Sequence, residues 1–119
     1  PRNSNQTKGQ KMNKFEVVSG SFKNNSIVKE KNAGIAIYKE DEKLYKIHLN
    51  IFPNITYFMQ RNKNNELFTI FSRAVKEEGR TKLLKPVGQA RMPKNLKTHL
   101  TLNFEVLNTN LYMSLFPQN

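Results

Sequence analysis

Between Arg73 and Lys97 the chain carries Arg73, Lys76, Arg80, Lys82, Lys85, Arg91, Lys94 and Lys97, opposed only by Glu77 and Glu78. Eight positive charges less two negative leave +6 in this stretch, more than half of the formal +11 of the whole chain. Cations on long stems beside turn residues suit phosphate, because a guanidinium grips two oxygens at once and an ammonium supplies a point charge. Single-stranded nucleic acid also needs aromatic faces on which bases stack. Tyr38, Tyr57 and Phe71 are the first candidates, with Phe58 and Tyr112 beside them, since each lies next to or out of phase with the apolar stripe of its segment.

No other constellation points to chemistry. His48 and His99 are the only histidines, and there is no cysteine. A zinc site asks for three or four ligands, so both histidines read as surface residues and no metal or other cofactor is implied. Glu40, Asp41 and Glu42 form the one acidic cluster, but Lys39 and Lys43 flank it in a hairpin tip, and it reads as a solvated turn. The glycine-rich and nucleophile motifs of nucleotide-binding and hydrolytic enzymes are absent, so the chain is expected not to be an enzyme.

The elements that must position these residues read as strands. Leu100, Leu102, Phe104 and Val106 alternate with His99, Thr101, Asn103 and Glu105, the pattern of a half-buried strand, and Leu111, Met113 and Leu115 resume it after Asn108-Thr109-Asn110. Phe15 to Phe22 is rich in strand formers, with a bulge expected at Gly20. A hairpin is expected around Lys39 to Lys43, with Ile35 and Ile37 in one arm and Tyr45, Ile47, Leu49 and Ile51 in the other. A second is expected around Asn62 to Asn65, its later arm running from Glu66 to Val75. "KEEGR" at 76–80 reads as a turn or a single helical turn. "VGQAR", bracketed by Pro86 and Pro93, reads as a short edge strand whose small residues let another backbone approach. There is no repeat at solenoid spacing and no sustained helical period.

The expected fold is therefore all-β: a single-domain barrel or open sandwich of about seven short strands, resembling an oligonucleotide-binding barrel. Residues 1–14, basic and without apolar period, are expected to be a disordered extension, added or processed. Residues 15–117 are expected to form one β domain. No stretch approaches the apolar length of a membrane-spanning helix, and no signal-peptide pattern is present, so a soluble cytoplasmic protein is expected.

"MNKFEVVSGSFK" near the start, "VGQAR" late and "LTLNFEVLNTNLYMSLF" at the end together resemble the small bacterial proteins grouped as domain of unknown function 736. The resemblance spans most of residues 12 to 116, with the neighbourhood of Met92 where that family has Trp. It implies a setting on plasmids or other mobile elements and supplies no catalytic residues.

A pI near 10.0 draws polyanions by Coulomb attraction, and nucleic acid is the commonest of them. The sequence thus favours a nucleic-acid-binding accessory protein contacting phosphates of single-stranded DNA or RNA. The competing reading is a protein-interaction module, an accessory or inhibitor whose basic face docks on an acidic partner, or a homodimer formed through exposed strand edges.

Overall fold

The computed structural model describes residues 12–118. Eight antiparallel strands follow one another around a closed ring: β1 (Met12–Lys23), β2 (Ser26–Lys39), β3 (Leu44–Leu49), β4 (Thr56–Arg61), β5 (Phe68–Glu77), β6 (Arg80–Arg91), β7 (His99–Phe104) and β8 (Leu111–Ser114). β8 returns to β1 through Val17 opposite Met113 and Val18 opposite Tyr112. The expected all-β barrel is formed, with eight strands rather than about seven. Its connectivity is a meander, not the five-stranded Greek key of oligonucleotide-binding barrels. Among the described residues no helix is long and apolar enough to cross a membrane.

Several local expectations are corrected. β1 begins at Met12, so residues 12–14 belong to the sheet; the expectation of disorder for residues 1–11 lies outside the described residues. "VGQAR" is the end of a twelve-residue strand paired on both sides, to β5 and to β7, and is no edge. Pro86 is tolerated because it sits at a break in register, where Phe71 opposes Pro86 and the adjacent Ile70 opposes Gly88. Residues 76–80 hold a two-residue hairpin turn in which Glu78 (φ 52°) and Gly79 (φ 77°) are both left-handed, as the tight turn of a twisted hairpin requires.

Side chains that alternate inward fill the barrel: Phe15, Val17, Ile47, Leu49, Tyr57, Met59, Ile70, Leu100, Leu102, Phe104, Leu111 and Met113 form one buried cluster. Each such side chain taken from water contributes roughly 1.5–3 kcal/mol, which is how a chain with modest apolar content closes a ring. In β2 the inward positions belong to Gly34 and Ala36, so Ile35 and Ile37 lie half-buried on the outer face, and Ile51 is exposed beyond the end of β3. Smallness here has a steric reason. A Cβ on Gly34 would run into the His48 carbonyl, and one on Gly88 into the Asn103 carbonyl, each on the next strand.

Gly34 and Gly88 are equivalent positions in two copies of one four-stranded unit. In β1–β4, Gly34 opposes Leu49, Ala36 opposes Ile47, and Tyr45 opposes Met59. In β5–β8, Gly88 opposes Phe104, Ala90 opposes Leu102, and Leu100 opposes Met113. Both seams between the units match as well, Ile70 meeting Met59 as Val17 meets Met113, and Phe71 meeting Phe58 as Val18 meets Tyr112. The loops after β3 and β7 repeat even their backbone bonds. The Asn50 and Glu105 amides donate to the Ala33 and Val87 carbonyls at 2.9 and 2.8 Å, and those of Phe52 and Leu107 donate to Leu49 and Phe104 at 3.1 and 3.0 Å.

Each unit also carries one long hairpin reaching beyond the ring, closed by Asn24-Asn25 (φ 52° and 65°) in the first and Glu78-Gly79 in the second. The hairpins cross over. Ile27 of β2 packs outside the second unit with Val18, Leu96 and Tyr112. Ala74, Lys76 and Thr81 of the β5–β6 hairpin lie over the outer face of the first, where they line a half-open groove with Leu44, Lys46 and Phe58. That cover explains Leu44, which by alternation with inward Tyr45 points out of the barrel yet is only 1% exposed.

Candidate nucleic-acid interface

Residues that oppose each other across an antiparallel ladder share a face, so the hairpin register sorts its cations. Arg73 opposes Leu84, Val75 opposes Lys82 and Glu77 opposes Arg80, and this face exposes Arg73, Arg80 and Lys82 together with the acidic Glu77. Lys76 opposes Thr81 on the other face. There Lys76 Nζ and Thr81 Oγ1 both donate to Glu42 Oε2, at 2.7 and 2.9 Å. The Lys76 hydrogen bond, then that of Thr81, holds the Glu42 carboxyl below its ordinary pKa. Two expectations are thereby revised: Lys76 has its charge opposed by a carboxylate, and Glu42 is a fastening for the hairpin rather than an idle turn residue.

The remaining cations are divided. Lys85 sits in left-handed backbone (φ 61°) near the base of the hairpin. Arg91 ends β6 on the outer face opposite Thr101, bordering a groove with Gln89, Asn103 and Glu105. Lys94 and Lys97 are exposed on the β6–β7 connection, whose Leu96 is pinned against Val18 and Tyr112. Arg73, Arg80 and Lys82 thus ride on a hairpin that covers β3 and β4, while Lys94 and Lys97 belong to a connection that covers β8 and β1, across the ring.

The proposed stacking residues also separate. Tyr57 is 5% exposed and packs edge-on against Phe104 with ring centroids 5.0 Å apart; burial pushes its phenol pKa up, and it is core, not a stacking surface. Tyr112 is likewise buried, under Leu96 and Ile27. Phe71 and Phe58 are cross-strand neighbours, half-buried on the outer face. Phe58 borders a groove with Lys46 and Lys76 that also holds Glu42, whereas Tyr38 lies beside a groove with cations and no carboxylate in its lining.

That groove, of about 450 Å³, opens where the barrel interior ends, lined by Tyr38, Tyr45, Phe68, Gln60, Lys43, Arg61 and Lys63. Tyr45 is the hub of its aromatic wall, 4.7 Å from Tyr38, 5.9 Å from Phe15 and 6.3 Å from Phe68 between ring centroids. Burial first, then the neighbouring Tyr38, raises the Tyr45 pKa, which keeps its hydroxyl neutral. Its basic rim is built into structure. The loop bearing Lys63 is tied by Thr69 Oγ1 donating to Asn62 Oδ1 (2.7 Å) and the Leu67 amide donating to Asn65 Oδ1 (2.9 Å). Sequence reasoning passed over Lys43, Arg61 and Lys63 because no run of charge marks them. The available signal was inward-phased aromatics at strand ends flanked by cations.

His48 and His99 join no ligand cluster, and among the described residues no group of three metal-binding side chains occurs. No family model, curated protein or solved structure matches the chain.

Proposed function

We propose that the protein binds nucleic acid through backbone phosphates, with the exposed face of the β5–β6 hairpin as a principal contact. The observation that carries this reading is the sorting of Arg73 and Lys82 onto the face opposite the Glu42 fastening, with Arg80 beside Glu77 at the hairpin tip, where it also borders the Glu42 groove. A fastened hairpin presents these cations with less conformational freedom to lose on binding. Among the described residues no helix stands ready for a major groove, so single strands or sequence-independent contacts are favoured. The resemblance to domain of unknown function 736 adds a mobile-element setting to the proposal.

The test is fluorescence anisotropy with labelled single- and double-stranded oligonucleotides over a range of salt. Replacing Arg73, Arg80 and Lys82 by Ala should weaken binding to unrelated sequences alike. It should also make the salt slope shallower by roughly two to three, since each neutralised phosphate releases about 0.7–0.9 counterion. Absence of binding by the wild type at low salt would sink the proposal.

A protein-docking reading draws on a different observation. Ile51 and Val106, equivalent positions in the two units, are 62% and 64% exposed on the loops at the end away from the aromatic groove. Strand addition is restricted, since the described strands close into a ring, while the two protruding hairpins offer unpaired edges. A pull-down that survives nuclease treatment and is lost in Ile51→Ser/Val106→Ser would favour this reading.

A further inference from the structure

The geometry points to the aromatic groove at the barrel end as a receptor for one unpaired base of a single strand, with Lys43, Arg61 and Lys63 meeting its flanking phosphates. This inference rests on the nucleic-acid reading and gives it a site.

Three observations converge. The groove joins half-buried rings to three cations without a carboxylate in its lining, and the Gln60 amide adds donors and acceptors at its edge. An aliphatic ligand would need no cations, and inorganic phosphate no rings; a planar group carried on a phosphate chain uses both. A volume of about 450 Å³ is ample for one nucleotide and falls within the usual range for ligand clefts.

The second observation is that the two units part company here. Across the interior and at the opposite end they keep equivalent residues: Val17 and Ile70, Gly34 and Gly88, Ala36 and Ala90, Met59 and Met113. At the groove, Tyr45 has Leu100 as its counterpart, and Arg61, two residues beyond Met59, has Leu115. Packing alone is served by leucine at such positions, as the second unit demonstrates. Placing a tyrosine and an arginine there creates one polar, aromatic end on an otherwise repeated scaffold.

Third, the groove adjoins the β5–β6 hairpin on its Glu42-fastened side, where Arg80 at the hairpin tip is within the neighbouring groove. Gln60 lines both it and a neighbouring groove that includes Lys76 and Arg80 of the hairpin, the latter groove also holding Asp41 and Glu42. A strand seated by its base at Tyr38 that continued along this groove would pass Asp41 and Glu42 before meeting Arg80 at the hairpin tip.

The experiment compares a twelve-nucleotide oligothymidylate with an abasic strand of equal length, by anisotropy, for the wild type and for Tyr38→Leu. Leucine retains apolar contact with Tyr45 but offers no ring. The wild type is expected to prefer the base-bearing strand about tenfold, and Tyr38→Leu to abolish that preference while keeping its affinity for the abasic strand. Tyrosine emission, unobscured because the chain has no tryptophan, should be quenched by the base-bearing strand alone; this readout does not depend on the variant folding. Equal affinity for both strands, an unchanged preference in Tyr38→Leu, or displacement by polyglutamate as effective as by oligothymidylate would overturn the inference while leaving phosphate binding intact. Failure of the wild type to bind either strand at low salt would overturn both.

Discussion

Lys76 and Glu42 meet at 2.7 Å although one belongs to the β5–β6 hairpin and the other to the turn between β2 and β3. Their pairing, shared with Thr81, ties the hairpin of the second unit to the first. The Lys76 side chain is 66% exposed, so the ion pair is screened and its worth lies within about 1 kcal/mol. Position, more than strength, gives it importance.

Glu42→Gln is accordingly expected to lower the melting temperature only slightly while increasing amide exchange at the hairpin tip. The pKa of Glu42 is lowered in the folded protein, so its contribution is complete above the ordinary carboxylate range and is lost as pH falls through the depressed value. Melting curves between about pH 7 and pH 3 should show a flatter acid limb in Glu42→Gln than in the wild type. An identical acid limb would mean the carboxylate contributes nothing to folding.

Single substitutions should separate the two hairpin faces. Lys82→Ala is expected to reduce the salt slope of oligonucleotide binding by about 0.7–0.9. Lys76→Ala should leave that slope nearly unchanged and should loosen the hairpin instead. Equal slopes for the two variants would show that the face assignment is wrong.

Leu44→Ala is expected to cost about 2 to 4 kcal/mol, a core-sized loss from a residue on the outside of the barrel. Urea denaturation measures it. A cost below about 1 kcal/mol, typical of surface sites, would mean that the hairpin does not cover Leu44 in solution.

Gly88→Ala should be destabilising by about 1–3 kcal/mol, because the added Cβ meets the backbone of Asn103, which cannot swing aside as a side chain can. Gly34→Ala should behave alike, through His48. Gly79→Ala meets nothing and carries only the smaller penalty of its left-handed backbone. Denaturation midpoints of the three variants, ranked in the reverse order, would contradict the close approach.

The legibility of the fold followed the size of the inward residues. Leu100, Leu102 and Phe104 announce their strand because the inward positions are large and the outward ones polar. β2 does not, since Gly34 and Ala36 face inward between apolar Ile35 and Ile37, and its first half, "SIVKEKN", leaves the barrel for a hairpin with no core to alternate against. Pro86 suggested an edge because proline lacks a donor; a break in register opposite β5 met that need just before β6 becomes paired to β7 as well, from Gly88. The phosphate cations were visible as a run of charge, but their division between two faces depends on register, which composition does not carry. Glu42 and Leu96 act across contacts that are distant along the chain. The repeat of units did leave a trace, in Gly34-x-Ala36 against Gly88-x-Ala90 and in Asn54 to Met59 against Asn108 to Met113, too sparse to stand out among ordinary strand formers.

The crossing of the two hairpins also bears on how the protein could be taken apart. A polypeptide of residues 12–64 would keep β1 to β4, yet it would bare both outermost strands and leave Leu44 without its cover. Its own β1–β2 hairpin would have nothing to clasp. The seams are interchangeable in kind, Val17 with Met113 and Ile70 with Met59, so a second copy of the same fragment offers each copy what it lacks. Light scattering should find such a fragment as a dimer in which strand exchange rebuilds the ring, and the intact chain then reads as that dimer joined by the Asn62–Leu67 loop into one covalent molecule.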